Sequence, residues 1–326
     1  MGVEPVALLN VRPLQNSLPF GVRIRGIGRA QLGDQAVRAA ITELFERHGM
    51  IVFEDIEPSN DTQIRLSNVF GPLKEHPVKS VRRVDRDGLP GVIELPTKPD
   101  SGGLVEFDGK QRAHWLPWHF DHCYNDELNR AGVLRATVIV EDGGMTGFTD
   151  GIALYQAFPR ELLARIEGKD IIYRLDTQYA SNRFGRPAGL QIIRPKEASA
   201  DFMAQARAMP RAIHPAVWTR PTGEKVLHVS PYMAQGILGE ETGAGYALFE
   251  EICQAINRVA AQCSYHHQWQ STEMVIWDNW RMLHSVSGHS PEKERVMQRT
   301  TIKGDYGLGR FENNGVGGAI LENTLV

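Results

Sequence analysis

Cysteine is scarce in this chain. Cys123, Cys253 and Cys263 are an odd number, widely scattered and without a CxxC pair. That excludes a disulfide framework and a cysteine-based zinc site, and it points to reduced thiols in a cytoplasmic protein. Long apolar runs are also missing: no stretch approaches the ~18 residues needed to cross a bilayer, so no membrane span is predicted. Neither sign of charge dominates, since 36 Lys+Arg stand against 39 Asp+Glu for a net charge of −3. Without a basic stripe, neither nucleic acid nor a membrane surface is an expected partner. The first fifteen residues lack the charged start and apolar run of a secretory leader. No repeat and no interdomain linker is visible, so residues 1–326 read as a single domain.

The 42% hydrophobic content is ample for a buried core. Asp34 can cap a helix running to His48, with Val37, Ala40, Ile41, Leu44 and Phe45 on one face and Gly49 as the stop. A short strand follows over Met50–Phe53 and a short helix over Asp61–Phe70. Residues 78–117 are rich in Gly, Pro and charge and show no period, which predicts an irregular lid or insert loop. Strands are predicted around Trp118–Tyr124, Leu134–Glu141, Val226–Val229, Ser264–Gln270, Glu273–Trp277 and Arg295–Lys303. Helices are predicted over Ala153–Glu167 and Tyr246–Ala261. The Gly- and Asn-rich tail, 306–326, reads as loosely ordered. Many short strands with a few covering helices predict a mainly β fold whose core is a double-stranded β-helix (jelly roll, cupin-like).

Only one of the eleven histidines is followed two residues later by an acid, in Trp118-His119-Phe120-Asp121. On an extended segment, residues i and i+2 share a face about 6–7 Å apart along the strand. An imidazole and a carboxylate so placed can close on one metal ion as two corners of a 2-His-1-carboxylate triad, which leaves open positions on Fe(II). His284, after the apolar run ending in Trp277, is the best candidate for the third corner. Arg295 and Arg299 fall on one face of the following strand. Turned inward, they would receive carboxylates, whose geometry the guanidinium matches.

The ordered motifs make the chain resemble the taurine dioxygenase and 2,4-dichlorophenoxyacetate dioxygenase family of Fe(II)/2-oxoglutarate-dependent oxygenases, from about residue 7 to about residue 305. They are Phe70-Gly71-Pro72-Leu73 with His76-Pro77, the Trp118–Asp121 run, Gly143-Gly144-Met145-Thr146, His214-Pro215, Trp277-Asp278-Asn279 with His284, and Arg295 to Asp305. The resemblance implies that His119, Asp121 and His284 bind Fe(II). It also implies that Thr146 and Arg295 hold the distal carboxylate of 2-oxoglutarate, with O2 as the second co-substrate. Arg299 would meet the substrate's acidic group or the co-substrate near the metal, and His76 matches a substrate-contacting histidine. With Asp121 present, the chain reads as a hydroxylase and not as a halogenase, which leaves that position to a halide.

Trp115 stands where the taurine enzyme has a polar substrate-side residue. Trp118, Phe120 and Tyr124 cluster with it near the metal motif, and His114 and His122 are further candidate contacts to the substrate. If Trp115 and Tyr124 line the pocket, the substrate is larger or flatter than taurine. The leading expectation is hydroxylation of an unactivated C–H bond in a small, anionic organic acid, yielding succinate and CO2, by an enzyme that forms homo-oligomers in the manner common to the family. Desaturation, epimerisation or cyclisation on the same scaffold is the alternative, and a non-catalytic metal- or small-molecule-binding jelly roll is the third reading.

Overall fold

Parity along the strands builds the layers. In Met50–Glu54, Ile51 and Phe53 face one way, while Met50 and Val52 face the other. The same split recurs at Val133 against Leu134 and at Ile276 against Val275 and Trp277. A sheet with apolar residues on both faces must be covered on both. A computed structural model describes residues 8–74, 82–85 and 89–312 and shows how.

The largest sheet has eight strands in the order Val11–Pro13, Val22–Arg25, Met50–Glu54, Met274–Asp278, Ala131–Val138, Arg295–Ile302, Leu89–Thr97 and Arg83–Asp85. One face is covered by the helices Gln35–His48 and Asn60–Phe70, through Ile41, Leu44, Phe45, Leu66 and Val69. The other face meets a four-stranded sheet ordered Ser264–His267, Thr146–Asp150, Met282–Val286 and Leu116–His119. Phe148 and Met282 from the small sheet pack with Leu134, Val275, Trp277 and Met297 from the large one. These two sheets form the jelly-roll core. Behind the small sheet, Leu283 joins the cluster of the long helix Gly243–Cys263 through Phe249, Ile252 and Ile256. A further four-stranded sheet, with Asp170–Tyr173 and Ala212–Pro215 at its centre, lies in the same cluster.

Local signals act as expected at the first helix. The Asp34 side chain accepts from the N–H groups of Ala36 and Val37, and Gly49 takes the left-handed φ of 73° that ends the helix. Elsewhere the structure departs from the sequence reading. The predicted single helix over 153–167 is two, Gly151–Ala157 and Arg160–Ile166. Pro159 between them has no N–H to continue the first and is well placed to start the second.

Residues 78–117 are not irregular where described, since they contain the strands Arg83–Asp85, Leu89–Thr97, Leu104–Phe107, Lys110–Ala113 and the start of Leu116–His119. Pro90, Gly91 and Pro96 disguise the second of these. Beyond Ile93 its outer side has no strand neighbour among the described residues, so Pro96 withholds no ladder bond there. The tail is likewise ordered as far as residue 312: Arg310–Phe311 pairs with Ala212 and Ile213, and Tyr306 is buried. Residues 313–326 lie outside the described residues.

Candidate active site

The small sheet brings the two histidines together. His284, in the middle of Met282–Val286, is the direct antiparallel partner of His119 at the end of Leu116–His119. Directly opposed residues project from the same face, and the ring centroids stand 4.0 Å apart. The strand does not run on to Tyr124 as predicted. It ends at His119, and Asp121 comes from the turn that follows, where His122 takes a φ of 59°. Asp121 thus reaches the histidines from a turn and not from a shared strand face. Donor atoms of His119, Asp121 and His284 all lie within 4.8 Å of one another, and all three residues are buried.

A turn that carries a metal-suited carboxylate must be held, and this one is held at several points. Asn279 accepts from the Asp121 N–H at 2.8 Å and donates to the Asp121 carbonyl at 3.0 Å, and it also donates to Asn129. His214 Nε2 lies 3.0 Å from the Cys123 carbonyl and 2.7 Å from that of Asn125. Carbonyls only accept, so this nitrogen carries the proton. Phe120 stacks on His228 at 3.9 Å, and His228 in turn donates to the Asn279 carbonyl.

The protonation pattern suits a divalent cation. His119 Nδ1 donates to the Pro117 carbonyl at 2.8 Å, which leaves Nε2 with a lone pair. Burial lowers the pKa of His119 and, more strongly, that of His284, so both rings are neutral. At Asp121 burial favours the neutral acid, but the adjacent Arg299 guanidinium outweighs it and holds the carboxyl well below its usual range. Arg299 donates to Asp121 Oδ1 at 2.7 Å, whereas Asp121 Oδ2 and His284 Nδ1 are buried with no hydrogen-bond partner among the described residues. A carboxylate oxygen left bare beside two neutral imidazoles is a donor set that fits Fe(II).

The neighbouring wall holds Thr146 and Arg295. Thr146 Oγ accepts from the Trp269 indole N–H at 3.1 Å, leaving its own O–H free to donate. Arg295 is 4% exposed, yet it has no ion pair or hydrogen bond among the described residues. The other buried arginines differ. Arg281 clasps Asp150 with two bonds, Arg135 bonds Gln63 and the Pro58 carbonyl, and Arg220 bonds the Glu46 carbonyl. Burial without a partner lowers the Arg295 pKa to about 10. An unpaired buried guanidinium beside a free hydroxyl donor is a receptor for a carboxylate.

The sequence pattern of the family described as taurine catabolism dioxygenase TauD, TfdA family matches residues 10–301. The chain belongs to this TauD/TfdA family. Its members are 2-oxoglutarate-dependent non-haem iron dioxygenases acting on small organic molecules, with Fe(II) as cofactor and O2 as the second co-substrate. The chain is 28% identical over 295 residues to the (S)-phenoxypropionate/alpha-ketoglutarate-dioxygenase of Sphingobium herbicidovorans, covering 88% of this chain and 92% of that one. It is 27% identical over 282 residues to the alpha-ketoglutarate-dependent 2,4-dichlorophenoxyacetate dioxygenase of Cupriavidus pinatubonensis, covering 85% and 92%. A taurine dioxygenase structure from Burkholderia xenovorans superposes with a TM-score of 0.65 at 21% identity, covering 91% of each chain, which establishes the shared fold.

In this dioxygenase the three metal-suited residues, Thr146, Arg295 and Arg299 all line one cavity of about 270 Å³. Phe120, His122 and Tyr124 line it too. Trp115 does not. It packs with Val105, Phe107 and Tyr179 in a satellite core, and its carbonyl accepts from the Tyr179 hydroxyl. Its neighbours are the strands of 104–113, which sequence reading took for a loop. His76 lies outside the described residues. Four apolar wall residues had no local signal: Leu175, Phe202, Tyr232 and Met233 come from segments far from the metal motif. The role of Asn279 was equally hidden, because a clamp on a backbone 158 residues away leaves no spacing to read. No helix among the described residues is long and apolar enough to cross a membrane.

Proposed function

We propose that His119, Asp121 and His284 hold Fe(II), and that Thr146 and Arg295 hold the distal carboxylate of 2-oxoglutarate. The observation that carries this reading is Arg295: a buried guanidinium, without a partner among the described residues, sharing a cavity with two neutral histidines and the Asp121 carboxylate. When bound, the metal and its keto acid supply, with O2, the oxidative decarboxylation to succinate and CO2 that drives substrate oxidation. The protein's own groups do the rest. Arg299 orients the Asp121 carboxylate and offsets its charge, Asn279 keeps the turn in place, and Trp269 aims the Thr146 hydroxyl.

The prime substrate in this reading is a small organic acid, hydroxylated at an unactivated C–H bond and larger or more aromatic than taurine. The apolar wall of Tyr124, Leu175, Phe202, Tyr232 and Met233 supports the second point. Buried, unpaired Cys123 and Cys253 fit a reducing cytoplasm.

The test is succinate release by anaerobically iron-loaded protein once O2 is admitted, against a panel of aryloxy acids, sulfonates and aromatic acids. Stimulation by one acid, with a product heavier by one oxygen, is expected. Full succinate formation in both His119→Ala and Asp121→Ala would sink the ligand assignment, and a product lighter by two hydrogens would replace hydroxylation by desaturation.

A further inference from the structure

The cavity's charges do not cancel. Lys196, Arg295 and Arg299 line it against a single carboxylate, Asp121. Arg299 is engaged with Asp121 at 2.7 Å. On the reading above, Arg295 takes the distal carboxylate of 2-oxoglutarate and the doubly charged metal takes its other end, so five positive charges face three negative ones. The lysine is then left without an anion.

We propose that Lys196 is the receptor for the acidic group of the prime substrate, and that the substrate is therefore an amphipathic monoanion with its charged end at Lys196 and its apolar body against Leu175, Phe202, Tyr232 and Met233. Lys196 has no ion pair and no hydrogen bond to any described residue, although the residue is partly buried. Its backbone is fixed. It follows the strand Gln191–Arg194, which pairs with Leu104–Phe107, and Arg194 ties that strand to the Gly102 and Ser101 carbonyls at 2.8 and 3.1 Å. A side-chain carbon on Gly103 would stand 3.1 Å from Lys196 Cβ, so the stem is packed at its root. Lys196 lines the same cavity as His119, Asp121 and His284, which places its charge beside the metal-suited group.

Burying a cation without a partner is unfavourable unless a ligand completes the pair. An ammonium on a flexible stem is a point charge, so it accepts a carboxylate, a sulfonate or a sulfate ester alike, whereas a guanidinium fork would favour planar anions. Phe202 comes from the helix Ala200–Ala208, only a few residues beyond Lys196. One short segment thus supplies both the charge and part of the apolar wall.

The experiment is calorimetric titration of anaerobic protein loaded with Fe(II) and 2-oxoglutarate. The probes are 2-phenoxypropionate, its neutral amide and hexyl sulfate, each titrated into wild type, Lys196→Met and Lys196→Arg. Wild type should bind at least one anion about tenfold or more tighter than the amide, as a charge-assisted bond requires. Lys196→Met should lose that preference while holding the amide and 2-oxoglutarate at their wild-type affinities, and Lys196→Arg should restore binding of the planar carboxylate more than that of the sulfate. An anion preference that survives in Lys196→Met overturns the inference, and so does a wild type that prefers no anion over the amide. If wild type fails to bind 2-oxoglutarate, the reading of the site falls and takes this inference with it. If 2-oxoglutarate binds and only the lysine variant behaves as wild type, the inference alone falls.

Discussion

Replacing Arg295 by Met should make the protein more stable and a worse binder of 2-oxoglutarate. The side chain is 4% exposed, has no ion pair among the described residues, and has its pKa lowered by burial from 12.5 to about 10. That depression corresponds to roughly 3 kcal/mol of desolvation not returned by any contact among the described residues. Methionine has a similar reach and no charge, so Arg295→Met should stabilise the ligand-free fold by about 1–3 kcal/mol, in line with other buried charges replaced by apolar residues. For a chain of this size each kcal/mol moves the melting temperature by about 1–2 °C. The same change removes a charge-assisted bond to the co-substrate worth about 1.5–3 kcal/mol, a loss of roughly 10- to 150-fold in affinity. Thermal denaturation with and without 2-oxoglutarate, plus titration of the co-substrate into Fe(II)-loaded protein, reads both terms. A melting temperature several degrees lower, with unchanged 2-oxoglutarate affinity, would show Arg295 to be a structural cation and refute the reasoning.

Asn279→Ala should weaken Fe(II) binding about tenfold and lower stability by about 1–3 kcal/mol, because the Asp121 backbone loses its clamp. Metal titration beside a melting curve checks this, and unchanged iron affinity would mean that the turn holds itself. At Gly144, with φ 65°, a methyl group would sit 2.5 Å from Val140 Cγ2 and 3.1 Å from Arg295 Cδ. Gly144→Ala should therefore displace Arg295 and weaken 2-oxoglutarate several-fold while iron affinity stays as it was, both measurable by titration. Burial lowers the pKa of His214 to about 4 and that of His228 to about 3. The folded protein keeps both neutral where the unfolded chain, with pKa near 6.5, takes up protons. Their contribution is complete above pH 6.5 and declines as pH falls towards 4, by about 1.4 kcal/mol per histidine at pH 5.5. Denaturant unfolding at pH 7.5 and 5.5 measures it; a His228→Gln variant with an undiminished pH slope would count against His228.

Much of the fold was legible because its signals are local. Asp34 and Gly49 bracket the first helix by capping chemistry, and the five-residue face between them needs no tertiary information. The alternation of Arg295, Met297 and Arg299 on one strand face is a property of the backbone, and the structure places all three on the cavity wall. His119 and Asp121 drew attention through spacing alone, although the reason offered for it, a continuous strand, is not how the chain brings them together.

Tertiary structure decided what depends on partners distant in sequence. The strand Leu89–Thr97 exists because Arg295–Ile302 offers it a ladder, which its prolines conceal. Trp115 left the pocket for a satellite core because Tyr179 and Val105 arrive there from other segments. Nothing near Lys196 in the sequence marks it, and the motif that contains Asn279 does not say what Asn279 holds, since a missing counter-ion and a backbone clamp are both facts about neighbours far along the chain. The sequence alone determined the kinds of donor atoms and the faces they leave from. Only packing determined which of those atoms are buried, which are paired, and which remain open to bind something else.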